Sequence, residues 1–566
     1  MDEHVPRRFL NARLVTVIVV LGLGWIGIGF RLWVVQAAQA EEFAEQGLSQ
    51  RLQRETLAAD RGTIFDREGR ELAVTVDAVT VYANPRQVTD PDTAARTLSP
   101  IIGRSPVEIA RALTEDSTFV YLARQLDREV ATPIREADLD GIHMLVEPRR
   151  LYPTGELAAQ LLGFVRTDDN RGLEGLEAYY DEELAGTPGE LLVERDPFGR
   201  TIPQGEYSVV PAEPGADLVL TLKTEIQYEA HRALGEALER TGAESGSIVV
   251  LDVETGSVLA MVNLPTFDPN DRSDLDMATV RNRAVTDVFE PGSTQKLVTV
   301  AGVLEDGLVD PTTTFEIPDE IEILDTTFED ITVHPDTLTV TEIVAYSSNL
   351  GTILLAEELG IRSLHQWLFA FGEGSPTGID LPGEAGGVLR PPEEWCTTTC
   401  LAGTSIGYHV SVTPLQLASA YAIVANDGTW IQPRVVDEIV DSAGVRTPVR
   451  PLQRRVLSDV TAARLRIMLE AVVDEGTGAL AAVPGYRVGG KTGTTQKFLA
   501  EEGVYSDEDV VASFVGMAPI DDPQVVVAVV LDAPTEDASG GSGAAPLFSE
   551  VMRATLHQLG IPPDAD

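Results

Sequence analysis

The sequence predicts an α+β fold with one N-terminal transmembrane helix and two further domains, the second with a mainly antiparallel sheet flanked by helices. Its 566 residues exceed what one ordinary hydrophobic core organises. A long apolar run follows a short basic head near the N-terminus. From residue 217 onward, apolar strands come in adjacent pairs between helical segments, which favours antiparallel pairing over repeated βαβ units.

The first 56 residues predict a membrane anchor. Residues 1–13 form a basic head, residues 14–36 a transmembrane helix, and residues 37–56 a polar helical stalk. Basic residues collect at the cytoplasmic end of a span, so we expect a cytoplasmic N-terminus and an extracytoplasmic remainder in a single-pass plasma-membrane protein. A cleaved signal peptide is the alternative, since Ala38-Gln39-Ala40 resembles a cleavage site.

Residues 57–215 and 216–566 are predicted to form the two domains, with a linker rich in proline and glycine at 211–215. The first domain mixes short strands and helices with many turns. In the second, Leu218–Leu222 is a predicted strand, and Thr224 is the predicted cap of a helix that reaches about Arg240. Two strand pairs complete the predicted sheet, at residues 247–251 with 258–262 and 510–518 with 525–531.

Charge and cysteine content exclude several classes of protein. The net charge of −47 argues against a nucleic-acid-binding protein, because a polyanion would be repelled. Two cysteines exclude a disulfide-rich scaffold and a four-thiolate zinc site, and we expect no metal site. Cys396 and Cys400 lie four residues apart, so either a disulfide or two unpaired thiols fits; zinc is disfavoured because His409 is the only nearby third ligand.

Ser293-Thr294-Gln295-Lys296 is the one S-x-x-K string in the chain, and it follows Pro291-Gly292. A helix that begins after Pro291 puts Ser293 and Lys296 on one face, one turn apart, so that the amine can reach the hydroxyl. Serine becomes a strong nucleophile when a neighbouring base takes its proton, and lysine can be that base whereas arginine cannot. By itself, the string also fits a capping serine beside a surface lysine.

Two further strings carry polar groups suited to peptide binding. Ser347-Ser348-Asn349 lies between two predicted helices, where a serine can relay a proton and an amide can hold a carbonyl group. Gly489-Gly490-Lys491-Thr492-Gly493-Thr494 predicts a strand that admits another backbone closely and offers charge and hydroxyls to a carboxylate. Alone, each string also fits ordinary turn or strand chemistry.

In this order and in one domain, the three strings resemble the S-x-x-K, S-x-N and K-T-G set of β-lactamases and penicillin-binding proteins. Over about residues 55–560, the chain resembles class B penicillin-binding proteins, the monofunctional transpeptidases of septal and elongation type. The segments that carry this resemblance are 61–73, 172–177, 289–293, 378–384, 405–408 and 412–416. It implies an elongated mixed α/β pedestal domain of the dimerisation type at 57–215 and a penicillin-binding transpeptidase domain at 216–566.

The resemblance also implies a mechanism that needs no cofactor. Peptidoglycan stem peptides are cross-linked through an acyl-enzyme in which Ser293 has attacked the D-Ala-D-Ala amide. Lys296, neutral through burial and neighbouring positive charge, is the base, and Ser347 passes a proton to the departing D-Ala. The remaining implied roles are peptide binding by Asn349, substrate binding by Lys491, Thr492, Gly493 and Thr494, and an oxyanion hole from the N–H groups of Ser293 and Thr494.

The implied ligands are stem peptides and β-lactams. A polytopic glycosyltransferase and other division or elongation proteins are the implied partners, and general similarity favours a septal role in cell division over elongation. Two alternatives use the same sequence features. A membrane-anchored β-lactamase-like hydrolase shares the nucleophile, and a non-catalytic scaffold of the division complex shares the pedestal, although the complete triad of motifs argues against an inert chain.

Overall fold

The computed structural model describes residues 7–39, 51–194, 202, 207–324, 326–396, 399–499 and 504–565. Internal contacts divide the chain into two units. One combines Met1–Asp60 with Gly186–Pro214, and the other combines Arg61–Ala185 with Gly215–Asp566.

The first unit contains an apolar helix and a small sheet. The α-helix Arg7–Trp33 continues into a short π-helical segment, Val34–Ala38. The segment of residues 12–37 contains an 18-residue window with a mean hydropathy of 2.0 and is long enough to cross a bilayer. The sheet is antiparallel and consists of Leu52–Leu57, Gly189–Glu194 and Tyr207–Val210.

The prediction of a helical stalk over residues 37–56 is wrong at its C-terminal end. Leu52–Leu57 is a strand that pairs residue by residue with Gly189–Glu194. The backbone partner more than 130 positions away outweighs the local helix preference of this polar stretch, and sequence periodicity does not reveal such a partner. Most of the predicted stalk, residues 40–50, lies outside the described residues.

In the second unit, a seven-stranded sheet joins residues from both sides of the predicted border at 215. Ile64–Phe65 pairs antiparallel with Glu71–Ala83 and parallel with Asp217–Leu220. The other strands are Arg446–Pro448, Val436–Val440, Val120–Leu126 and Ile142–Leu151. Helices around this sheet include Pro91–Ile102, Pro106–Leu113, Ala131–Ala137, Ala159–Leu162, Gly175–Tyr179 and Asp181–Leu184.

A five-stranded sheet forms the centre of the remaining fold. Every neighbouring pair is antiparallel, which confirms the predicted sheet type. In spatial order the strands are Val258–Leu264, Ser245–Asp252, Val525–Asp532, Val504–Ala518 and Gly489–Leu499. The last of these carries the K-T-G string and is an edge strand, so one side of its backbone is available to a ligand.

Helices cover both faces of this sheet, which explains the unbroken apolar run in Val525–Asp532. Val525, Val527 and Val529 pack in a core with the helices Thr224–Thr241 and Ala545–Leu559. The alternate residues Val526 and Ala528 belong to the other core, with Pro414–Ala425, Asp459–Asp474 and Lys296–Glu305. In the helix Lys296–Glu305, every residue from Lys296 to Leu304 is buried, which explains why most of its side chains are apolar on all sides.

Shorter helices and strand pairs surround the five-stranded sheet and its covering helices. The helices are Met277–Val280, Arg283–Thr286, Val340–Ala345, Asn349–Leu359, Ile361–Ala370 and Thr399–Ser405. The strand pairs are Thr314–Glu316 with Thr337–Thr339, Ile321–Ile323 with Thr326–Phe328, and Thr429–Ile431 with Gln453–Arg455.

The expectation that Thr224 caps the helix Thr224–Thr241 is wrong. Lys223 takes the N-cap position, and the Thr224 hydroxyl donates to Asp66 at 2.5 Å.

A buried ion network ties Arg61 to the segment around Glu177. The Glu177 carboxylate, which is 0% exposed, accepts from Arg61 Nε and Arg150 Nε, each at 2.6 Å. Arg61 Nη1 also donates to Asp181 at 2.7 Å. Buried charges persist only when they are paired, so Arg150 depends on Glu177, and Arg61 depends on Glu177 together with Asp181.

Glu177→Ala leaves both guanidinium groups short of their buried partner. We expect the free energy of unfolding to fall by about 3–5 kcal/mol. Urea unfolding of the full-length protein in detergent measures this change. Glu182→Ala, an exposed position five residues later in the same segment, is the control and should stay within about 0.5 kcal/mol of the wild type. Equal stabilities of the two variants would contradict the assignment.

Candidate active site

Ser293 lies in a short 3-10 segment, Gly292–Gln295, that leads directly into the buried helix Lys296–Glu305. This segment packs against the edge strand with little space between the backbones. A Cβ atom on Gly493 would lie 2.8 Å from the Pro291 carbonyl oxygen and 2.4 Å from Ser513 Oγ. Only glycine permits this approach, so the K-T-G strand and the segment that carries Ser293 are held side by side.

The Lys296 amine is fully enclosed and points at the Ser347-Ser348-Asn349 turn. Lys296 is 1% exposed. Its Nζ donates to the Ser347 carbonyl oxygen at 2.6 Å and to Asn349 Oδ1 at 2.7 Å, and it lies 3.3 Å from Ser347 Oγ. The structure therefore brings the first two motifs into direct contact.

Burial lowers the pKa of Lys296 to about 7, and the negative charge of Asp330 opposes this shift. At neutral pH a large fraction of the amine is consequently unprotonated. The sequence-based expectation named burial and a neighbouring positive charge as causes. The structure supports burial. Lys491 is the neighbouring positive charge, because the two amines repel each other, and the carboxylate of Asp330 acts in the opposite direction.

The S-x-N turn has a strained backbone that is fixed from outside. Ser347 has φ of 59°, a left-handed conformation that costs a non-glycine residue energy and is found at functional sites. Ser348 caps the next helix, accepting from Gly351 N at 2.8 Å. Asp330 accepts from Ser348 Oγ at 2.7 Å, from Leu350 N at 3.1 Å and from Asn349 N, so one carboxylate holds the whole turn.

The K-T-G strand supplies the opposite wall. Thr492 Oγ1 lies 2.9 Å from Thr477 Oγ1, and Thr494 Oγ1 accepts from Gly540 N at 2.9 Å. Lys491 is 1% exposed and lies behind this wall, with Nζ 3.4 Å from the Thr492 carbonyl and hydroxyl oxygens. Burial, and then the charge of Lys296, lowers the pKa of Lys491 well below its usual value.

A cavity of about 310 Å³ lies between these walls. Its lining combines residues from all three motifs, namely Ser293, Ser347, Asn349, Thr492 and Thr494, with Ile331, Thr332, Thr477, Ser539 and Gly541. A larger cavity of about 540 Å³ borders Phe289, Glu290 and Thr495 but contains none of the side chains of the three motifs. The smaller cavity is therefore the candidate active site.

Several residues that line or support this cavity could not be predicted from the sequence. Asp330 lies in a loop 17 residues before the S-x-N turn, and Thr477 and Ser539 sit in segments without a recognisable pattern. Their roles depend on chain segments that meet only in the folded protein. Gly407, by contrast, lies in the segment 405–408 that carries the family resemblance. It has φ of 93°, and a Cβ there would lie 2.1 Å from the Gly292 carbonyl oxygen.

Cys396 and Cys400 form a disulfide in the structure, with their Cα atoms 5.3 Å apart. The bridge lies at the start of the helix Thr399–Ser405, which leads to Gly407 and its contact with Gly292. In this position, the bridge restrains a segment whose Gly407 packs directly against Gly292, the residue before Ser293.

Glu373 is an acid buried beside the S-x-x-K motif. It is 3% exposed, and Gln295 of the motif is 2% exposed. Burial raises the pKa of Glu373 to about 8, and the nearby Gln295 amide opposes this rise. The side chain is thus mainly neutral at pH 7, as a carboxyl group in an apolar environment must be.

Comparison with known proteins gives matches to two family models. The model of the penicillin binding protein transpeptidase domain matches residues 246–553, which is more than half of the chain. The model of the penicillin-binding protein dimerisation domain matches residues 56–220.

Named relatives match over nearly their whole length. The probable peptidoglycan D,D-transpeptidase PbpC of Pseudomonas aeruginosa is 33% identical over 98% of this chain and 96% of that protein. The peptidoglycan D,D-transpeptidase FtsI of Escherichia coli K12 is 32% identical over 100% of this chain and 94% of that protein. Among solved structures, apo penicillin-binding protein 3 of Mycobacterium tuberculosis has a TM-score of 0.70 and 32% identity, covering 90% of this chain and 98% of that chain.

The chain therefore belongs to the class B penicillin-binding proteins, as the sequence motifs predicted. It is a serine-type peptidoglycan D,D-transpeptidase of cell-wall synthesis that binds β-lactams, and its apolar N-terminal helix anchors it to a membrane.

Glu373→Gln should stabilise the protein increasingly as pH rises. In the wild type, the folded state keeps a proton up to about pH 8, whereas the unfolded state loses it near the ordinary value of 4.5. Between these values, stability falls by up to about 1.4 kcal/mol per pH unit, and glutamine removes this term. Urea unfolding in detergent at several pH values measures the difference. The exposed control Glu357→Gln should show no such trend; a parallel trend in both variants would contradict a neutral Glu373.

Proposed function

We propose that Ser293 is the nucleophile of the transpeptidation reaction. Its hydroxyl oxygen attacks the carbonyl carbon of the penultimate D-Ala of a stem peptide, and the peptide C–N bond breaks to release the terminal D-Ala. The product is an ester between Ser293 and the shortened stem peptide. The observation that supports this role is the shared cavity, which Ser293 lines together with Ser347, Asn349 and Thr494.

Lys296 is the general base of this step. A neutral amine has two N–H groups and one lone pair, and the Ser347 carbonyl and Asn349 Oδ1 accept the two N–H groups. The lone pair is then free to take the Ser293 proton. Ser347, whose Oγ lies 3.3 Å from the amine, carries a proton onward to the nitrogen of the departing D-Ala.

The remaining motif residues bind and polarise the substrate. The backbone N–H groups of Ser293 and Thr494 form the oxyanion hole, which stabilises the negative oxygen of the tetrahedral intermediate. Asn349 and Gly493 contact the peptide. The hydroxyls of Thr492 and Thr494 bind the terminal carboxylate. Lys491 lies behind these hydroxyls, and its protonated form attracts the carboxylate, although the charge of Lys296 lowers the pKa of Lys491.

The amine of a second stem peptide completes the reaction. Its nitrogen attacks the ester carbonyl carbon and forms the cross-linking amide. The ester C–O bond breaks, and a proton from the amine restores the hydroxyl of Ser293. The same site accepts β-lactams, because their strained amide takes the place of the D-Ala-D-Ala bond. Acylation by a penicillin is therefore a direct assay of the first half of the reaction.

The topology and the cellular role proposed here are those of the class B penicillin-binding proteins. The N-terminus lies in the cytoplasm and both folded domains, 57–215 and 216–566, lie outside, which the basic residues before the apolar helix support. Similarity to FtsI supports a septal role with a polytopic glycosyltransferase and other division proteins as partners. A fluorescent fusion that stays along the lateral wall of dividing cells would contradict the septal role.

Two substitutions test the catalytic roles in the full-length protein in detergent. Ser293→Ala should abolish covalent labelling by a fluorescent penicillin, since the acylated atom is gone. Lys296→Arg keeps the charge but should lower the acylation rate by at least about 100-fold, because a guanidinium cannot accept the proton. Peptide mapping locates the adduct. A penicillin adduct on another residue, or acylation of Lys296→Arg near the wild-type rate, would overturn the respective assignment.

A further inference from the structure

The loop of residues 329–336 borders the active-site cavity and has an inverted pattern of burial. It connects the strand Thr326–Phe328 to Thr337–Thr339. Ile331 and Val333 are 94% and 96% exposed, although they are apolar. The side chains of Asp330 and His334 are only 8% and 10% exposed, although they are ionisable. A loop that directs its polar groups inward at this position indicates that they serve the site.

Both ring nitrogens of His334 face oxygen acceptors. Nε2 lies 2.8 Å from Asp330 Oδ2, and Nδ1 lies 2.9 Å from the Pro335 carbonyl oxygen. A neutral imidazole carries one N–H group, so only the imidazolium can donate to both oxygens. The geometry itself therefore favours the cation.

The charges around His334 act in the same direction. Burial alone would lower its pKa, but the hydrogen bonds to Pro335 and Asp330 and the charges of Asp330 and Asp336 raise it above the ordinary value. Asp330 and Asp336 come from its own loop. The packed neighbour from the helix side is Tyr346, whose ring centroid is 6.4 Å from that of His334, and Lys296 follows beyond Asp330.

Asp330 connects His334 to the catalytic machinery by two routes. Its carboxylate holds the S-x-N turn through Ser348, Asn349 and Leu350. Its negative charge also favours the protonated form of Lys296, which is the form that cannot act as a base. A cation on the far side of Asp330 would retain the first effect and weaken the second.

We propose that His334, as a cation, is a positioning residue that fixes Asp330 against the S-x-N turn and offsets the field of Asp330 at Lys296. This inference rests on the proposed role of Lys296 as the base. When His334 loses its proton, Asp330 is left uncompensated and the Lys296 amine holds its own proton more tightly. His334 and Lys296 are thus coupled through the carboxylate of Asp330, so the protonation state of each one affects the pKa of the other.

Two substitutions separate the charge of His334 from its shape. His334→Gln can still donate to Asp330 but carries no charge, whereas His334→Arg carries a permanent charge. His143→Gln, at an exposed histidine of the seven-stranded sheet, is the matched control. The measurement is the rate constant of acylation by a fluorescent penicillin, followed on both sides of pH 7 with full-length protein in detergent.

We expect His334→Gln to move the midpoint of the acidic limb of this profile upward by roughly half a pH unit, because one nearby positive charge is lost. His334→Arg should leave the midpoint at or below the wild-type value. The His143→Gln profile should match the wild type. Melting curves show whether each variant is folded, and if His334→Gln is not, the arginine variant decides: an upward shift there contradicts the proposal.

An unchanged midpoint in folded His334→Gln overturns the inference, even if the plateau rate falls, since that result describes a merely structural loop. An equal upward shift in both His334 variants overturns it as well. Failure of the proposed base is a separate outcome, because the wild type itself would then show no acidic limb near neutral pH.

Discussion

The enclosure of one amine, that of Lys296, is the constraint on which the rest of this site depends. An amine in water keeps its proton at neutral pH and cannot take one from a serine. The protein removes water from around Lys296 by placing it at the start of a helix that is buried on all sides. The cost of burying a charge then favours the neutral form, and its pKa falls to about 7.

That enclosure requires support from several distant segments. The five-stranded sheet brings its edge strand against the segment of Ser293 through Gly493, and Gly407 packs against Gly292 on the other side. The S-x-N turn offers Lys296 two oxygen acceptors from a strained backbone that Asp330 holds in place. Since strain is retained only where surrounding contacts fix it, the geometry of this turn depends on the hydrogen bonds of Asp330 as well as on the motif residues.

The sequence predicted the parts of this arrangement that have local signatures. Ser293, Lys296, Asn349 and Thr494 belong to motifs with fixed spacing, so the sequence alone names them as candidates, and the structure brings them together around one cavity. The strand pairs are predictable because they are apolar and close in sequence. Asp330 and Thr477 are not, because their partners are remote in sequence and their own surroundings are ordinary loops. The strand Leu52–Leu57 was predicted as a helix for the same reason, since its partner lies at Gly189–Glu194.

The most direct test of the account is the pH dependence of wild-type acylation by a penicillin. If Lys296 is a buried base, the rate constant should rise with pH to a plateau with a midpoint near 7. An exposed lysine would instead give a rate that keeps rising towards the ordinary lysine value of 10.5. A midpoint near 7 that disappears together with the lysine side chain supports the account, and a rate that climbs steadily through pH 9 to about pH 10 contradicts it.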